Sequence, residues 1–317
     1  MTDEYTRHLA ALHAGFQVPA ALIATAARAL TRSPIVAAER IVHGEANEVY
    51  GLTFESGPDL ILRIARRTEG VFEKEAWAIG RCRALGMAVP ELLSLQTLQA
   101  DAGPLEFCFL ERLPGSRLSD SLSLPRETLR AVVRELGEQL ARMHSIGPGD
   151  LGEAVRFFEN DTDDFLATQA EFVALGANAG LDRRALERAF RFFEAVTTRH
   201  GPLPRRLTHN DLRACHVLVH EGRLSGLIDF GEVSMDSPIN EFAKWAYWED
   251  PALPAAWLQE GYGDKSLFDA DYAELFQAFR LANALWVLRW YAFTGYAAGV
   301  NRAAASLARY LAEIGVI

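Results

Sequence analysis

Two aspartates, Asp211 and Asp229, are the residues of this chain whose types and spacing best fit catalysis. Asp211 lies in a short polar stretch, and Asp229 opens an Asp-Phe-Gly triplet 18 residues later. Between them, apolar runs at 216–219 and 224–228 flank the turn-forming sequence Glu-Gly-Arg, a pattern that predicts a β-hairpin with both carboxylates at one end. Phosphoryl transfer uses such a pair, because one carboxylate orients the acceptor hydroxyl and the other holds Mg²⁺ on the nucleotide phosphates.

Either motif alone marks an ordinary turn more often than a site, but the two together favour a kinase-like site. The pattern His209-x-Asp211, followed by Ile-Asp-Phe-Gly at 228–231, resembles the aminoglycoside phosphotransferase family. These proteins are small-molecule kinases with a protein-kinase-like fold. The resemblance implies that Asp211 is the catalytic base and that Asp229 is an Mg²⁺ ligand. It also implies that Arg213 replaces a lysine that contacts the transferred phosphate in some kinases.

His216 stands where the resemblance places the asparagine that binds metal in protein kinases. Mg²⁺ prefers oxygen ligands, so an imidazole is an unusual choice at this position. Macrolide kinases of the same family are similar in carrying a histidine there. The resemblance therefore implies an active enzyme in which Asp229 holds metal together with His216. The alternative is that His216 packs or hydrogen-bonds at the start of the strand and that Asp229 alone holds the metal.

Length and composition favour a globular protein with a small-molecule partner. The 317 residues suffice for one large core or two modest ones, and 50% of them are hydrophobic. The net charge of −10 argues against a nucleic-acid partner, since phosphate binding rests on Lys and Arg. An acidic surface suits a cationic small molecule, although most acidic surfaces only confer solubility.

Several features predict a cytoplasmic protein without a membrane partner. The N-terminal sequence Met-Thr-Asp-Glu lacks the order of a signal peptide, and the apolar run at 281–300 is interrupted by Arg289. The cysteines Cys82, Cys108 and Cys215 are widely spaced and form no C-x-x-C motif, which suits a reducing compartment. Cys215 fits a small packing residue better than a reactive thiol.

The first third of the chain predicts two helices over 4–31 and then a strand-rich region up to residue 66. In a kinase-like lobe, the turn with Gly44 and Asn47 would cover the nucleotide phosphates, although one glycine alone indicates only a hairpin. Arg63, on the third strand, would grip the phosphates in place of a lysine. The alternative for Arg63 is a surface position on an edge strand.

The helix after Arg63 offers two acidic partners for it. The family resemblance favours Glu75, which precedes an alanine, over Glu73. After the last strand of this region, Glu111 and Leu113 resemble the family's hinge, where backbone groups bind the nucleotide base. We expect an α+β, protein-kinase-like bilobal fold with a small antiparallel-sheet N-lobe and a larger, mainly helical C-lobe. The predicted divisions are a helical extension at 1–33, the N-lobe at 34–112 and the C-lobe at 113–317.

Helical patterns cover 125–146 and much of the chain beyond 160. The segment 232–243 resembles the family's G-D-P-x-x-D-L-A, with Ser237 and Glu241 at the two aspartate positions. Up to Trp248 it is similar to hygromycin phosphotransferases. Acidic and aromatic side chains of the second half suit a sugar or polyamine acceptor, or else form a solvated helix start and core. These residues are Glu159, Asp161, Asp163, Asp164, Trp245, Tyr247, Trp248, Trp286, Trp290 and Tyr291.

The expected activity is transfer of the γ-phosphate of ATP or GTP to a hydroxyl of a small molecule. An aminoglycoside such as hygromycin is the sharpest acceptor hypothesis, and choline or a sugar fits the same family. The alternative is a non-catalytic nucleotide-binding pseudokinase or regulatory protein, which the unusual Arg63 and His216 motivate. We expect a monomer or a weak homodimer.

Overall fold

The computed structural model describes residues 3–15, 17–45, 47–65, 71–101, 103–158, 165–248 and 250–315. The chain divides into two compact units. Unit 1 is Met1–Ser116, Leu218–His220 and Ser225–Gly231, and unit 2 is the remainder. Within the described residues, no helix combines the length and the apolarity needed to cross a bilayer.

Unit 1 is built on a five-stranded antiparallel sheet. The strands are β1 (Ile35–Ile41), β2 (Asn47–Phe54), β3 (Leu60–Ala65), β4 (Leu92–Ala100) and β5 (Gly103–Glu111). Their order in the sheet is β1-β2-β3-β5-β4. The helices are α1 (Asp3–Ala14), α2 (Ala20–Arg28) and α3 (Val71–Ala84). One core contains Ile23, Ala26 and Ala27 of α2 and the inward side chains of β2, β3 and β5. Helix α2 therefore covers one face of the sheet.

Strand β3 is the central strand and explains how Arg63 becomes buried. Leu62 and Ile64 belong to the core cluster that includes α2. Successive side chains of a strand point to opposite faces, so Arg63 lies on the other face. There its guanidinium carbon lies 5.4 Å from the ring centre of Phe72 at the start of α3. The alternative of an exposed edge-strand arginine is excluded, because β3 pairs with β2 and β5 and Arg63 is only 8% exposed.

Unit 2 is mainly helical. Its helices are α4 (Arg126–Met143), α5 (Gln169–Asn178), α6 (Arg183–His200), α7 (Pro238–Tyr247), α8 (Ala255–Gly261), α9 (Tyr272–Thr294) and α10 (Ala297–Glu313). Short strands β7 (Arg206–Thr208) and β10 (Ser234–Asp236) pair antiparallel. The predicted hairpin forms from β8 (Val217–His220) and β9 (Arg223–Leu227), whose residues 218–220 and 225–227 belong to unit 1. Its sheet has the order β6-β8-β9, in which β6 is Ser116–Arg117. Helix α7 begins where the Ser237 side chain accepts from the amide of Ile239.

Helix α8 is an element that the sequence pattern did not reveal, because it spans only seven residues. It packs against α4 at unusually short range. A Cβ on Gly261 would lie 1.8 Å from the Arg134 carbonyl oxygen, and one on Gly137 would lie 2.2 Å from the Leu258 carbonyl oxygen. Glycine is therefore required on both helices for this contact.

The aromatic side chains of unit 2 are mainly core residues. Phe165 stacks with Phe190 at a centroid distance of 4.8 Å and meets Phe193 edge-on at 4.7 Å. Trp245 is 3% exposed and donates its indole N–H to the Leu253 carbonyl oxygen at 3.1 Å. Of the aromatic residues that the sequence offered for acceptor binding, Trp245 is therefore a core residue, and so is Tyr291, which is 9% exposed. The acidic residues at 159 and 161–164 lie outside the described residues.

Candidate active site

Arg63 connects two carboxylates of unit 1. Its Nη1 donates to Oε1 of Glu75 on α3, and its Nη2 donates to Oδ1 of Asp229 at 3.0 Å. The Phe230 amide also hydrogen-bonds to Glu75. The partner of Arg63 is therefore Glu75, whereas Glu73 on the same helix is exposed. Residues two positions apart point in nearly opposite directions on a helix, so only one of these two acidic residues can face the sheet.

Neighbouring charge keeps the Arg63 guanidinium protonated in spite of its burial. Burial by itself would lower the pKa of Arg63, but the carboxylates of Glu75 and Asp229 raise it above its ordinary value. Arg63 is thus a permanent cation on the central strand. The Asp229 side chain stays 40% exposed despite this contact, so its carboxylate remains accessible to an added ion. Asp229 also adopts a left-handed backbone with φ 68°, which aspartate tolerates better than most residues.

The other nucleotide-site predictions of unit 1 fall on the loop before β2 and on the end of β5. Gly44 is exposed, and a Cβ placed on it would meet no atom within 4 Å. Asn47 is the first residue of β2 and pairs with Ala65. Ala46, just before Asn47, lies outside the described residues. Glu111 ends β5, where its carboxylate accepts from the Glu91 amide at 3.1 Å. Leu113 packs so closely on Gly226 that a Cβ there would lie 2.3 Å from Leu113 Cδ1.

The predicted catalytic loop lies in unit 2, directly after β7. Arg213 Nη2 donates to Asp211 Oδ2 at 2.8 Å, and its guanidinium carbon lies 5.1 Å from the ring centre of Trp248. The Asp211 side chain is 21% exposed. Asn210, just before it, has a positive φ of 58°. The chain therefore turns sharply at Asn210 and presents the Asp211 carboxylate beside a stacked arginine.

His216 is oriented by the same loop. It ends a short 3-10 turn just before β8, and its Nδ1 lies 2.8 Å from the Asp211 carbonyl oxygen. A carbonyl oxygen only accepts, so Nδ1 carries the proton and Nε2 holds the lone pair in the neutral imidazole. A metal-binding histidine has this arrangement, with one ring nitrogen held by a backbone carbonyl. Taken separately, the carboxylate of Asp229 in unit 1 and the imidazole of His216 in unit 2 are both donors of a kind that divalent cations accept.

Glu241 is a buried carboxylate that holds the backbone of the predicted catalytic loop, and the sequence pattern does not place it in the site. Its carboxylate is 1% exposed and accepts hydrogen bonds from the amides of His209 and Asn210. His144 Nε2 lies 3.7 Å from Glu241 Oε2, and Tyr262 OH lies 3.0 Å from His144 Nδ1. Burial alone would raise the pKa of Glu241, but His144 and the His209 amide lower it below its ordinary value. The family-like motif at 232–243 was the available signal.

Lys244 is a second residue that the sequence did not single out. It follows Glu241 by one turn of α7 and lies near the carboxylates of Asp211, Glu232 and Asp236. Burial lowers the pKa of Lys244 below its ordinary value. This effect outweighs the four neighbouring carboxylates, which by themselves would raise the pKa. The surroundings of Asp211 therefore include the basic side chains of Arg213 and Lys244 as well as acidic groups.

Comparison with known proteins agrees with this reading. The family model described as "Phosphotransferase enzyme family" (APH) matches residues 37–276. No curated protein sequence matches this chain. A solved structure of aminoglycoside 2'-phosphotransferase-IIIa with GDP is 15% identical, with a TM-score of 0.72, and the match covers 94% of this chain and 100% of that one.

Two further solved structures show the same fold. A thermostable mutant of aminoglycoside phosphotransferase APH(4)-Ia, in ternary complex with ADP and hygromycin B, is 18% identical. Its TM-score is 0.66, and the match covers 87% of this chain and 94% of that one. A GDP and kanamycin complex of APH(2")-IIIa is 15% identical, with a TM-score of 0.65 and coverage of 89% and 95%.

The family match and the fold likeness show a small-molecule kinase with an α+β, protein-kinase-like architecture, as the sequence predicted. The family model matches well over half of the chain. The chain belongs to the APH family of phosphotransferases.

Proposed function

We propose that this protein transfers the γ-phosphate of ATP or GTP to a hydroxyl of an aminoglycoside-like antibiotic or a related cationic or sugar metabolite. Membership of the APH family supports the reaction class. The observation that carries the proposal is the ion-pair network in which Arg63 joins Glu75 and Asp229. A cation fixed between a helix glutamate and the Asp-Phe-Gly aspartate suits the gripping of nucleotide phosphates.

In this mechanism Arg63 binds nucleotide phosphate oxygens, and Glu75 holds its guanidinium in place. The loop with Gly44 and Asn47 lies over the phosphates, and the backbone at Glu111 and Leu113 binds the base. Asp229 and His216 would hold Mg²⁺, which when bound neutralises phosphate charge and favours the in-line geometry.

Asp211 orients the acceptor hydroxyl and accepts its proton. Its carboxylate is also hydrogen-bonded to Arg213, and the guanidinium would contact the transferred phosphate. Positioning and charge neutralisation supply most of the acceleration in phosphoryl transfer. An aspartate of ordinary basicity suffices for a loose transition state.

The relatives in complex with hygromycin B and kanamycin support an aminoglycoside-like acceptor. A panel assay tests the proposal. The purified protein is incubated with Mg²⁺ and ATP or GTP, together with aminoglycosides, macrolides, choline or sugars, and mass spectrometry detects phosphorylated acceptor. Asp211→Asn is the matched control, because it keeps the size of the side chain. Product from the wild type alone supports the proposal, whereas nucleotide binding without product from any acceptor class favours the pseudokinase alternative.

A further inference from the structure

Helix α1 contacts the loop that contains Gly44. His13, near the end of α1, is 4% exposed, and its Nε2 lies 2.8 Å from the Gly44 carbonyl oxygen. A second contact joins the same two segments, because His8 Nε2 lies 3.9 Å from Glu45 Oε1. The family match begins at residue 37, so α1 lies before the matched region. The contact is therefore a feature of this chain that the family assignment does not describe.

The neighbours of His13 fix its hydrogen-bonding role. Arg40 Nη2 lies 3.4 Å from His13 Nδ1 and also donates to the His13 carbonyl oxygen at 3.3 Å. A guanidinium only donates and a carbonyl oxygen only accepts. The imidazole must therefore accept at Nδ1 from Arg40 and donate at Nε2 to Gly44. Arg40 in turn lies 3.7 Å from the buried carboxylate of Glu48, next to Asn47 at the start of β2.

Apolar packing does not by itself fix the distance between α1 and this loop. Leu9 is buried, but a cleft of about 380 Å³ adjoins His13. It is lined by Thr6, Leu9, Ala10, Ala14, Arg40 and Val42. Because side chains leave this space unfilled, polar contacts contribute to holding the helix against the loop, and the hydrogen bond from His13 to the Gly44 carbonyl oxygen is the shortest of those described.

We propose that His13 is a positioning residue for nucleotide binding, which holds the Gly44 loop in the conformation that receives the phosphates. This inference rests on the proposed function, because the loop's role over the phosphates belongs to that proposal. His13 touches neither nucleotide nor acceptor in this account. Its hydrogen bond removes freedom from the Gly44 backbone before the nucleotide arrives, so losing the bond weakens binding of the nucleotide.

Calorimetric titration with Mg-ATP and Mg-GTP tests the proposal on four variants of the full chain. His13→Ala removes both hydrogen bonds. His13→Gln supplies an amide N–H and a carbonyl oxygen at similar reach, and His13→Asn supplies the same groups one methylene too short. Glu4→Ala, at an exposed position on the same helix, is the matched control. Thermal unfolding of each protein separates loss of fold from loss of affinity.

We expect Kd for the nucleotide to rise about five- to tenfold in His13→Ala and His13→Asn, since both variants lose the hydrogen bond to the Gly44 carbonyl oxygen. His13→Gln and Glu4→Ala should stay within about twofold of the wild type. If His13→Ala fails to fold, the difference in nucleotide Kd between His13→Gln and His13→Asn still tests the role of His13. Equal affinities in all folded variants overturn the role of His13 while leaving the proposed function intact. A wild-type protein that binds neither nucleotide overturns both.

Discussion

The proposed phosphate grip of unit 1 (Arg63, Glu75 and Asp229) and the proposed catalytic loop of unit 2 (residues 209–213) are stabilised in different ways. In the grip, the charged side chains pair with one another, and Arg63 and Glu75 are buried as a side-chain ion pair. In the loop, the buried carboxylate of Glu241 binds backbone amides, while the side chains of Asp211 and Arg213 remain partly exposed. The ion pair of unit 1 fixes the position of the Arg63 charge. The hydrogen bonds of Glu241 fix the backbone of the loop and leave the Asp211 side chain accessible to a reactant.

Each region also contains one non-glycine residue with a left-handed backbone. Asp229 has φ 68° and Asn210 has φ 58°. In unit 1 the unusual residue is itself the proposed metal ligand, whereas in unit 2 it precedes the proposed base. Backbone strain of this kind persists where surrounding contacts over-determine it, and here those contacts are Arg63 for Asp229 and Glu241 for Asn210. Variants that affect one region but not the other should therefore separate nucleotide binding from turnover.

The largest expected effect is on turnover, from Asp211→Ala. We expect kcat to fall by about 10²–10⁴, because a positioned base contributes that much to proton transfer. The fold and the affinity for Mg-ATP and Mg-GTP should remain near wild type. Steady-state kinetics with an acceptor found in the panel assay, together with nucleotide titration, measure both quantities. A kcat within about tenfold of the wild type would exclude Asp211 as the base.

Glu75→Ala should have the next largest effect, and on stability as well as binding. It leaves the Arg63 guanidinium in a buried position with a single carboxylate partner, at a cost of about 3–5 kcal/mol in the free energy of unfolding. Urea unfolding measures this change, and Glu73→Ala on the exposed face of the same helix is the control. Equal unfolding free energies for the two variants would show that the ion pair does not organise the grip.

Glu241→Gln should reduce stability by about 1.5–3 kcal/mol at neutral pH, since it replaces charge-assisted hydrogen bonds with neutral ones. The pKa of Glu241 lies below its ordinary value in the folded state. Its contribution is therefore fully present above that ordinary value and is lost as the pH falls through the lowered one. Urea unfolding from pH 7 down to pH 3 should show the difference between Glu241→Gln and wild type shrinking. The exposed Glu138→Gln should show no such trend, and a difference that is constant with pH would contradict this assignment.

The smallest expected effect is a change in metal preference from His216→Asn. An amide oxygen replaces an imidazole nitrogen, so activation should shift from Mn²⁺ toward Mg²⁺ while activity is retained. His216→Ala, which removes the ligand, should lose more activity. Activation curves with both metals for the three proteins measure this. Identical curves would mean that His216 does not contact the metal and only supports the loop through Asp211.

Local sequence patterns predicted more of unit 1 than of the second unit's site. Strand periodicity placed Arg63 on a strand, and the family-like alanine after Glu75 selected the correct partner. The contacts of Glu241 could not be predicted, because they depend on where α7 packs against residues 209 and 210, which are distant in sequence. The same reason applies to α8, whose seven residues offer too little periodicity and whose position depends on glycines in two helices. The proton position on His216 required the Asp211 carbonyl, which no spacing reveals.

Calorimetric titration of Mg-ATP and Mg-GTP into Asp229→Asn and Asp211→Ala is the most direct test of the central claim, that Asp229 serves nucleotide binding and Asp211 serves turnover. Asp229→Asn removes the anionic oxygen that a hard cation needs, and it weakens the contact with Arg63. We predict that Asp229→Asn lowers the affinity for Mg-nucleotide at least about tenfold, whereas Asp211→Ala binds as the wild type does. Equal affinity of Asp229→Asn and wild type, or a comparable loss in Asp211→Ala, would contradict the account.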